Sequence, residues 1–277
     1  LVLVKQDAQT GNKAQGMASL KDAKYEFKFY GGLYDKDPAS LGVSPIRSWI
    51  LKTDKTCKIL MEDSYKVSGD ADLNRKICLP LGTITVQEID PPQGYLLDST
   101  VYVQKLDRTS STSEHISAFK TFSVKDTVNR LKLIKVQEGT SIPLPNVVFK
   151  HTMPNLKTND KGEIEWVGLT KGKHTLTEFK TLDGYALDIQ PIEFEVLRDG
   201  SISGVDPVIT FSNKVNPFSL KIVKKNNMHQ LLDGAVFGLF KDSECKEKID
   251  EKSTVDGVVS FADLKNGETY YLKEIKA

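Results

Sequence analysis

Cysteine is scarce in this chain. Its three copies, Cys57, Cys78 and Cys245, are spread over 277 residues with no C-x-x-C or zinc spacing, and its four histidines, His115, His151, His174 and His229, are scattered. No metal centre is therefore expected, and no cofactor. Cys57 and Cys78 are close enough in sequence to bridge, leaving Cys245 over; isolated small thiols are the alternative. A net charge of +1 lacks the electrostatic footprint of a nucleic-acid binder or of a protein drawn to an acidic membrane. No apolar run reaches the ~18 residues needed to insert into a membrane, and no signal peptide opens the chain. It begins on a strand and stops shortly after one, which reads as a fragment of something longer.

What is present is repetition. A five-residue strand is written three times, as Leu1–Lys5, Leu131–Lys135 and Leu220–Lys224. Side chains alternate along a strand, so each copy puts Leu, then Leu or Ile, then Lys on one face. Lys132 and Lys221 fall on the other, wet face. Lys5, Lys135 and Lys224 are thus predicted to point into a core, where an unpaired ammonium is very unfavourable. A second repeated strand offers partners: Ile84–Glu88, His174–Glu178 and Tyr270–Glu274 place Glu88, Glu178 and Glu274 in phase with larger apolar residues. A third ends in an acid or amide of the same phase, Asp126 after Phe122 and Val124, and Asn213 after Ile209 and Phe211.

These strands recur in order in three units, 1–129, 130–216 and 217–277, with the third ending before any Asn/Asp strand. Many short alternating strands and scarcely a helical period indicate an all-β chain of tandem sandwiches in an elongated array. Asp35–Pro45 reads as a loop, and Glu62–Lys76 as a loop or short helix. Trp49 and Trp166 are read as core residues on equivalent strands. Leu79-Pro80-Leu81-Gly82-Thr83 has a superficial likeness to a sortase signal, but its order is wrong and it runs into the Glu88 strand, so it is read as structural.

The Leu-x-Gly-Ala-x-Phe string at Leu232–Phe237, the Asp-x-x-Gly-type turns and the Glu-x-x-x-x-x-Gly-Tyr spacing at Glu88–Tyr95 and Glu178–Tyr185 resemble the Cna protein B-type (prealbumin-like) domains of Gram-positive surface adhesins and SpaA-type pilins. The resemblance is strongest in units two and three. It implies Greek-key, Ig-like or prealbumin-like sandwiches, each closed by an autocatalytic isopeptide bond from lysine to Asn or Asp with the glutamate as catalyst. Lys5–Asp126 and Lys135–Asn213 would be such bonds. Lys224 and Glu274 would share a core whose acceptor lies beyond Ala277, leaving the third unit the least stable. The implied setting is extracellular, on a surface protein tied to the cell wall by sortase anchoring outside this fragment.

The residue types suit that chemistry in their own right. Burial favours a neutral lysine amine, a nucleophile, and a protonated glutamate able to polarise a carboxamide or carboxyl and to shuttle protons. Each unit would react once, so the chain is not expected to be an enzyme. Two functions follow: a structural stalk, or a binding module contacting a host protein or glycan through the insertion of the first unit. A hydrogen-bonded Lys–Glu–Asx cluster without a bond is the plain structural alternative.

Overall fold

The computed structural model describes residues 1–70, 79–107, 121–151, 155–265 and 267–277. The chain is all-β, with only two single-turn 3-10 segments, Pro38–Leu41 and Asp63–Tyr65, among the described residues. The first group of strands is β1 (Val2–Asp7), β2 (Lys24–Tyr30), β3 (Arg47–Lys52), β4 (Lys58–Leu60), β5 (Lys66–Gly69), β6 (Gly82–Asp90), β7 (Val101–Leu106) and β8 (Thr121–Asp126). The second comprises β9 (Arg130–Gln137), β10 (Val148–His151), β11 (Leu156–Lys157), β12 (Glu163–Val167), β13 (Gly172–Lys180), β14 (Ile192–Val196), β15 (Ile202–Ser203) and β16 (Val208–Asn213). The third is β17 (Phe218–Val223), β18 (Val236–Phe240), β19 (Lys248–Ser253), β20 (Val258–Leu264) and β21 (Tyr271–Lys276).

Each group forms two facing sheets around its own apolar core. In the first, β4-β1-β8 packs on β5-β3-β2-β6-β7, so Leu3, Ile59 and Val124 meet Tyr25, Phe27, Trp49 and Val86. In the second, β12-β9-β16 packs on β11-β10-β13-β14-β15 around Leu133, Phe149, Ile164, Trp166 and Leu176. The third pairs β17-β20 with β19-β18-β21 around Phe237, Leu239, Val259 and Phe261. The period of two makes this possible: β1 and β9 alternate half-buried and buried residues along their length. In both of the first two groups the first strand runs parallel to the last, β1 with β8 and β9 with β16.

The entry to the second strand is built the same way three times. A buried threonine, Thr53, Thr158 or Thr254, accepts a hydrogen bond from the backbone N–H of Ala23, Val147 or Ala235. Its hydroxyl donates to the carbonyl of Leu20, Leu144 or Leu232. The residue before each of those N–H groups has positive φ: Asp22 at 66°, Asn146 at 59° and Gly234 at 81°. Glycine, Asn and Asp are the residues that tolerate this region best, which is why one motif position is filled by all three.

Three expectations need correction or restriction. Trp49 and Trp166 are both core residues, at 0% and 2% exposure, but their strands are not equivalent. Trp49 lies on β3, paired with β2, whereas Trp166 lies on β12, paired with β9. The counterpart of β12 is β4, antiparallel to β1, whereas β3 lies beside β2 and ends just before Thr53 as β11 lies beside β10 and ends just before Thr158; β5 is the added strand, at the edge of that sheet. Glu62–Lys76 begins with one 3-10 turn and then β5, bonded to β3. Cys78, and with it the Cys57–Cys78 pairing, lies outside the described residues.

Three residues, Thr127, Val128 and Asn129, separate β8 from β9, and the first two groups share a polar and apolar seam. Asn129 is buried there: its Oδ1 accepts from Leu169 N–H at 2.7 Å, and its Nδ2 donates to the carbonyls of Leu169 and Gly200 at 3.2 and 3.1 Å. Lys171 pairs with Asp90 at 2.5 Å across the seam, and Leu20, Tyr95 and Val128 pack with Val167.

Candidate functional site

The parallel pairing of first and last strands decides the geometry. Lys5 stands opposite Val124 and Lys135 opposite Phe211. The acceptor residue lies two positions further on, on the same face, beside the lysine tip. The glutamate comes from the facing sheet, on β6 or β13, and so meets the lysine across the core.

In the second group the three groups touch directly. Lys135 Nζ lies 2.7 Å from Glu178 Oε2, and both side chains are fully buried. Nζ donates to Asn213 Oδ1 at 2.5 Å. Asn213 Nδ2 in turn donates to Glu178 Oε1 at 2.6 Å and to Thr181 Oγ1 at 2.7 Å. Nζ also sits 3.9 Å from the centroid of the Phe211 ring, with Phe149 at 5.9 Å. Burial in this aromatic sleeve lowers the Lys135 pKa against the opposing pull of Glu178. One carboxylate thus contacts both the amine and the nitrogen of the carboxamide.

In the first group Lys5 Nζ donates to Glu88 Oε1 at 2.8 Å and to the Tyr25 hydroxyl at 2.6 Å, and it contacts Asp126 Oδ1. All three charged side chains are essentially inaccessible. The second Glu88 oxygen accepts from Asp98 N–H at 3.0 Å. Asp126 Oδ2 is buried without a hydrogen-bond donor. Burial pushes the Asp126 carboxyl up to about 7, helped by the nearby Glu88 and opposed by Lys5. A carboxyl so placed shares the character of an acid and a carboxylate near neutral pH.

The third group differs. Lys224 and Glu274 meet, with Nζ 2.6 and 2.7 Å from the two carboxylate oxygens, but their side chains are 24% and 32% exposed. Leu272, expected on the core face, is 41% exposed. The reason is topological: β17 is bonded to β20 alone among the described residues, on the side opposite to where β8 flanks β1 and β16 flanks β9. The expectation of a pair buried in a core therefore does not hold for this group.

Two contacting residues were not singled out from the sequence. Tyr25 reads as one more inward aromatic, and Thr181 lies just past the end of its strand. The Gly-Tyr turns, in contrast, bind where the repeat suggested a shared feature. Tyr95 and Tyr185 bridge to Val128 and Val215, and their hydroxyls donate to Asp7 and Gln137, each two residues after the buried lysine.

The SpaA prealbumin-like fold domain matches residues 129–207 and 218–277, just over half of the chain. No curated protein matches it. Among solved structures, the Bacillus anthracis TIE protein is 21% identical with a TM-score of 0.49, over 100% of this chain and 45% of that one. The chain thus spans less than half of that structure's length. A streptococcal ancillary pilin is 16% identical with a TM-score of 0.41, over 100% of this chain and 90% of that one. BcpA, the major pilin subunit of Bacillus cereus, is 13% identical with a TM-score of 0.40, over 100% and 87% respectively. With its repeated sandwiches and a family match that spans the second and third of them, the chain belongs to the SpaA family of prealbumin-like fold domains.

Proposed function

We propose that this chain is a load-bearing stalk segment of a pilin-type surface protein of a Gram-positive cell, in which the first and second units each close themselves with an isopeptide bond. The observation that carries the reading is the pair of buried Lys–Glu–Asx clusters, each joining the first strand to a parallel last strand through groups already in contact. Lys135 would attack Cγ of Asn213 and release ammonia; Lys5 would attack Cγ of Asp126 and release water. Glu178 and Glu88 would take the lysine proton and pass it to the leaving group. Each bond forms once, so the reaction is maturation rather than turnover. By analogy with disulfides, closing a loop of this size removes about 4–5 kcal/mol of chain entropy from the unfolded state. The third unit, with an exposed Lys224–Glu274 pair, carries no such bond in this chain. Sortase-mediated attachment to the cell wall and an extracellular location belong to the same proposal.

Intact mass tests it. The purified chain should be lighter than its sequence by about 17 Da for the second unit and about 18 Da for the first, as condensation by an amine requires. Glu178→Ala should abolish the 17 Da loss alone. A mass equal to that of the plain sequence, with cysteines accounted for, refutes both bonds.

A further inference from the structure

The two buried clusters are not copies of each other. Tyr25 faces Glu88 in the register of β2 and β6, and Phe149 faces Glu178 in the same place on β10 and β13. The hydroxyl that Lys5 Nζ reaches at 2.6 Å therefore has no counterpart in the second cluster. The reverse holds at the acceptor. Thr181, three residues past Glu178, accepts from Asn213 Nδ2 at 2.7 Å, while the residue three past Glu88 is Pro91, which has no side-chain oxygen. One cluster carries its extra hydroxyl on the amine and the other on the acceptor.

We infer that Tyr25 and Thr181 are additional catalytic residues matched to their acceptors, Tyr25 to the carboxyl of Asp126 and Thr181 to the carboxamide of Asn213. The inference rests on the bond-forming reading above. In the first cluster the ammonium of Lys5 condenses with the carboxylate of Asp126. The N–Cγ bond forms, one Cγ–O bond breaks, and two of the three ammonium protons leave with that oxygen as water. Two protons must move, and Glu88 offers only one oxygen to Nζ, its other being held by Asp98 N–H. The Tyr25 hydroxyl accepts from Nζ at 2.6 Å and lies close enough to Glu88 and Asp126 to feel both charges, which places a second relay beside the amine. Burial, together with the charges of Glu88 and Asp126, keeps that hydroxyl protonated, so it relays protons rather than holding a charge.

In the second cluster the neutral Lys135 amine attacks a carboxamide that already carries two hydrogens on its leaving nitrogen. The N–Cγ bond forms, the Cγ–N bond breaks, and a single proton passes from the amine to that nitrogen, which departs as ammonia. Glu178 spans this path alone, 2.7 Å from Nζ and 2.6 Å from Nδ2. What this site needs is a fixed amide. Glu178 Oε1 and Thr181 Oγ1 both accept from Nδ2, which turns the nitrogen toward the carboxylate and Oδ1 toward the lysine. A phenylalanine suffices opposite Glu178, because no second relay is needed.

The test follows both bonds in one molecule. The full 277-residue chain is made by cell-free synthesis, quenched with acid at intervals and digested, and the two cross-linked peptides are quantified separately by mass spectrometry. Tyr25→Phe should slow Lys5–Asp126 bonding at least tenfold and leave Lys135–Asn213 bonding at the wild-type rate. Thr181→Val should do the opposite. Each variant carries its own control for synthesis and folding, and Phe at 25 restores the ring that Phe149 supplies in the other core. The pH profile of the first bond should change shape in Tyr25→Phe, which a packing role would not cause. A gain-of-function arm covers a variant that folds poorly: Phe149→Tyr with Asn213→Asp should lose 18 Da faster than Asn213→Asp alone. Wild-type rates in both single variants, or equal slowing of both bonds by either one, overturn the inference while leaving the bonds themselves standing. Absence of both bonds from the unaltered chain overturns the inference together with the reading beneath it.

Discussion

The bonds proposed here should be visible as missing length. Pulled from its ends, each of the first two units is loaded along a parallel pair of strands, β1 against β8 and β9 against β16. Without a covalent link, rupture of that pair frees the whole loop between them. Lys135 and Asn213 are 78 residues apart, so the second unit would release about 260–280 Å at the 3.3–3.6 Å per residue of an extended chain. The loop from Lys5 to Asp126 is roughly 120 residues and would release about 400–430 Å. With the bonds in place, tension passes from lysine to acceptor side chain and neither step occurs. The perturbation is Lys135→Met, which removes the nucleophile and fills its place with an apolar chain of similar length; Glu178 loses its cationic partner, a cost of about 3–5 kcal/mol, but keeps the hydrogen bond from Asn213 Nδ2. Single-molecule force spectroscopy should show no step for either of the first two units in the wild-type chain. In Lys135→Met it should show one new step of about 260–280 Å. The third unit, from β17 to β21, serves as the internal marker, with a step of about 200 Å for its roughly 60 residues in every trace. Wild-type traces with the two long steps would refute the covalent reading, whatever the contacts.

Other perturbations probe the remaining structure. Asn129→Ala removes three hydrogen bonds at the seam between the first two units, about 2–3 kcal/mol at ~1 kcal/mol each, and hydrogen exchange at the Leu169 amide should accelerate accordingly. Gly200 has φ of +82°, and a Cβ there would lie 1.9 Å from the Tyr95 carbonyl oxygen; Gly200→Ala should release the Leu97 N–H bond to Asp199, read as lost amide protection at Leu97. His151 stacks on His174 at 5.0 Å between ring centroids. Burial first, then the neighbouring His174, lowers the His151 pKa from 6.5 to about 4. The unfolded chain therefore takes up that proton first, so this contribution to stability is full above about pH 6.5 and is lost as pH falls toward 4. Urea melts at pH 7, 5.5 and 4 should show that loss, and His151→Phe should flatten it.

The polar residues at inward phases were legible because strand alternation leaves little freedom: Lys5, Lys135, Glu88, Glu178, Asp126 and Asn213 are all buried on the face their position gives them. What was not legible falls into two kinds. Tyr25 occupies a position where any large apolar ring would fit, so its hydroxyl is hidden behind a core pattern, and Thr181 reaches Asn213 from just past the end of β13. The other kind is topological. Trp49 and Trp166 both fill core positions, but Trp49 lies on the counterpart of β11 and Trp166 on the counterpart of β4, and alternation says nothing about sheet partners. Lys224 and Glu274 repeat the pattern of the other units, yet a pattern on two strands buries nothing until a third strand covers it.

That last point separates two ways in which one repeat holds its lysine. In the first two units the lysine is enclosed by two sheets and an acceptor strand, and breaking the cluster there would leave a buried charge without its partner, which costs about 3–5 kcal/mol. In the third the same residues make an ion pair open to solvent, of a kind that contributes at most about 1 kcal/mol. Identical chemistry therefore has opposite mechanical consequences, set by whether a strand lies parallel to the lysine strand. The better braced part of this chain should run from β1 to β16, where the seam at Asn129 ties one enclosed unit to the next with three residues between strands. From Lys214 onward no comparable seam braces the path among the described residues: Asn216 N–H bonds back to Gly184 within the second unit, and β17 follows with Phe218 and Val223 exposed. Bending and extension under load should concentrate between Asn213 and Lys224, at the step from the enclosed lysines to the open one.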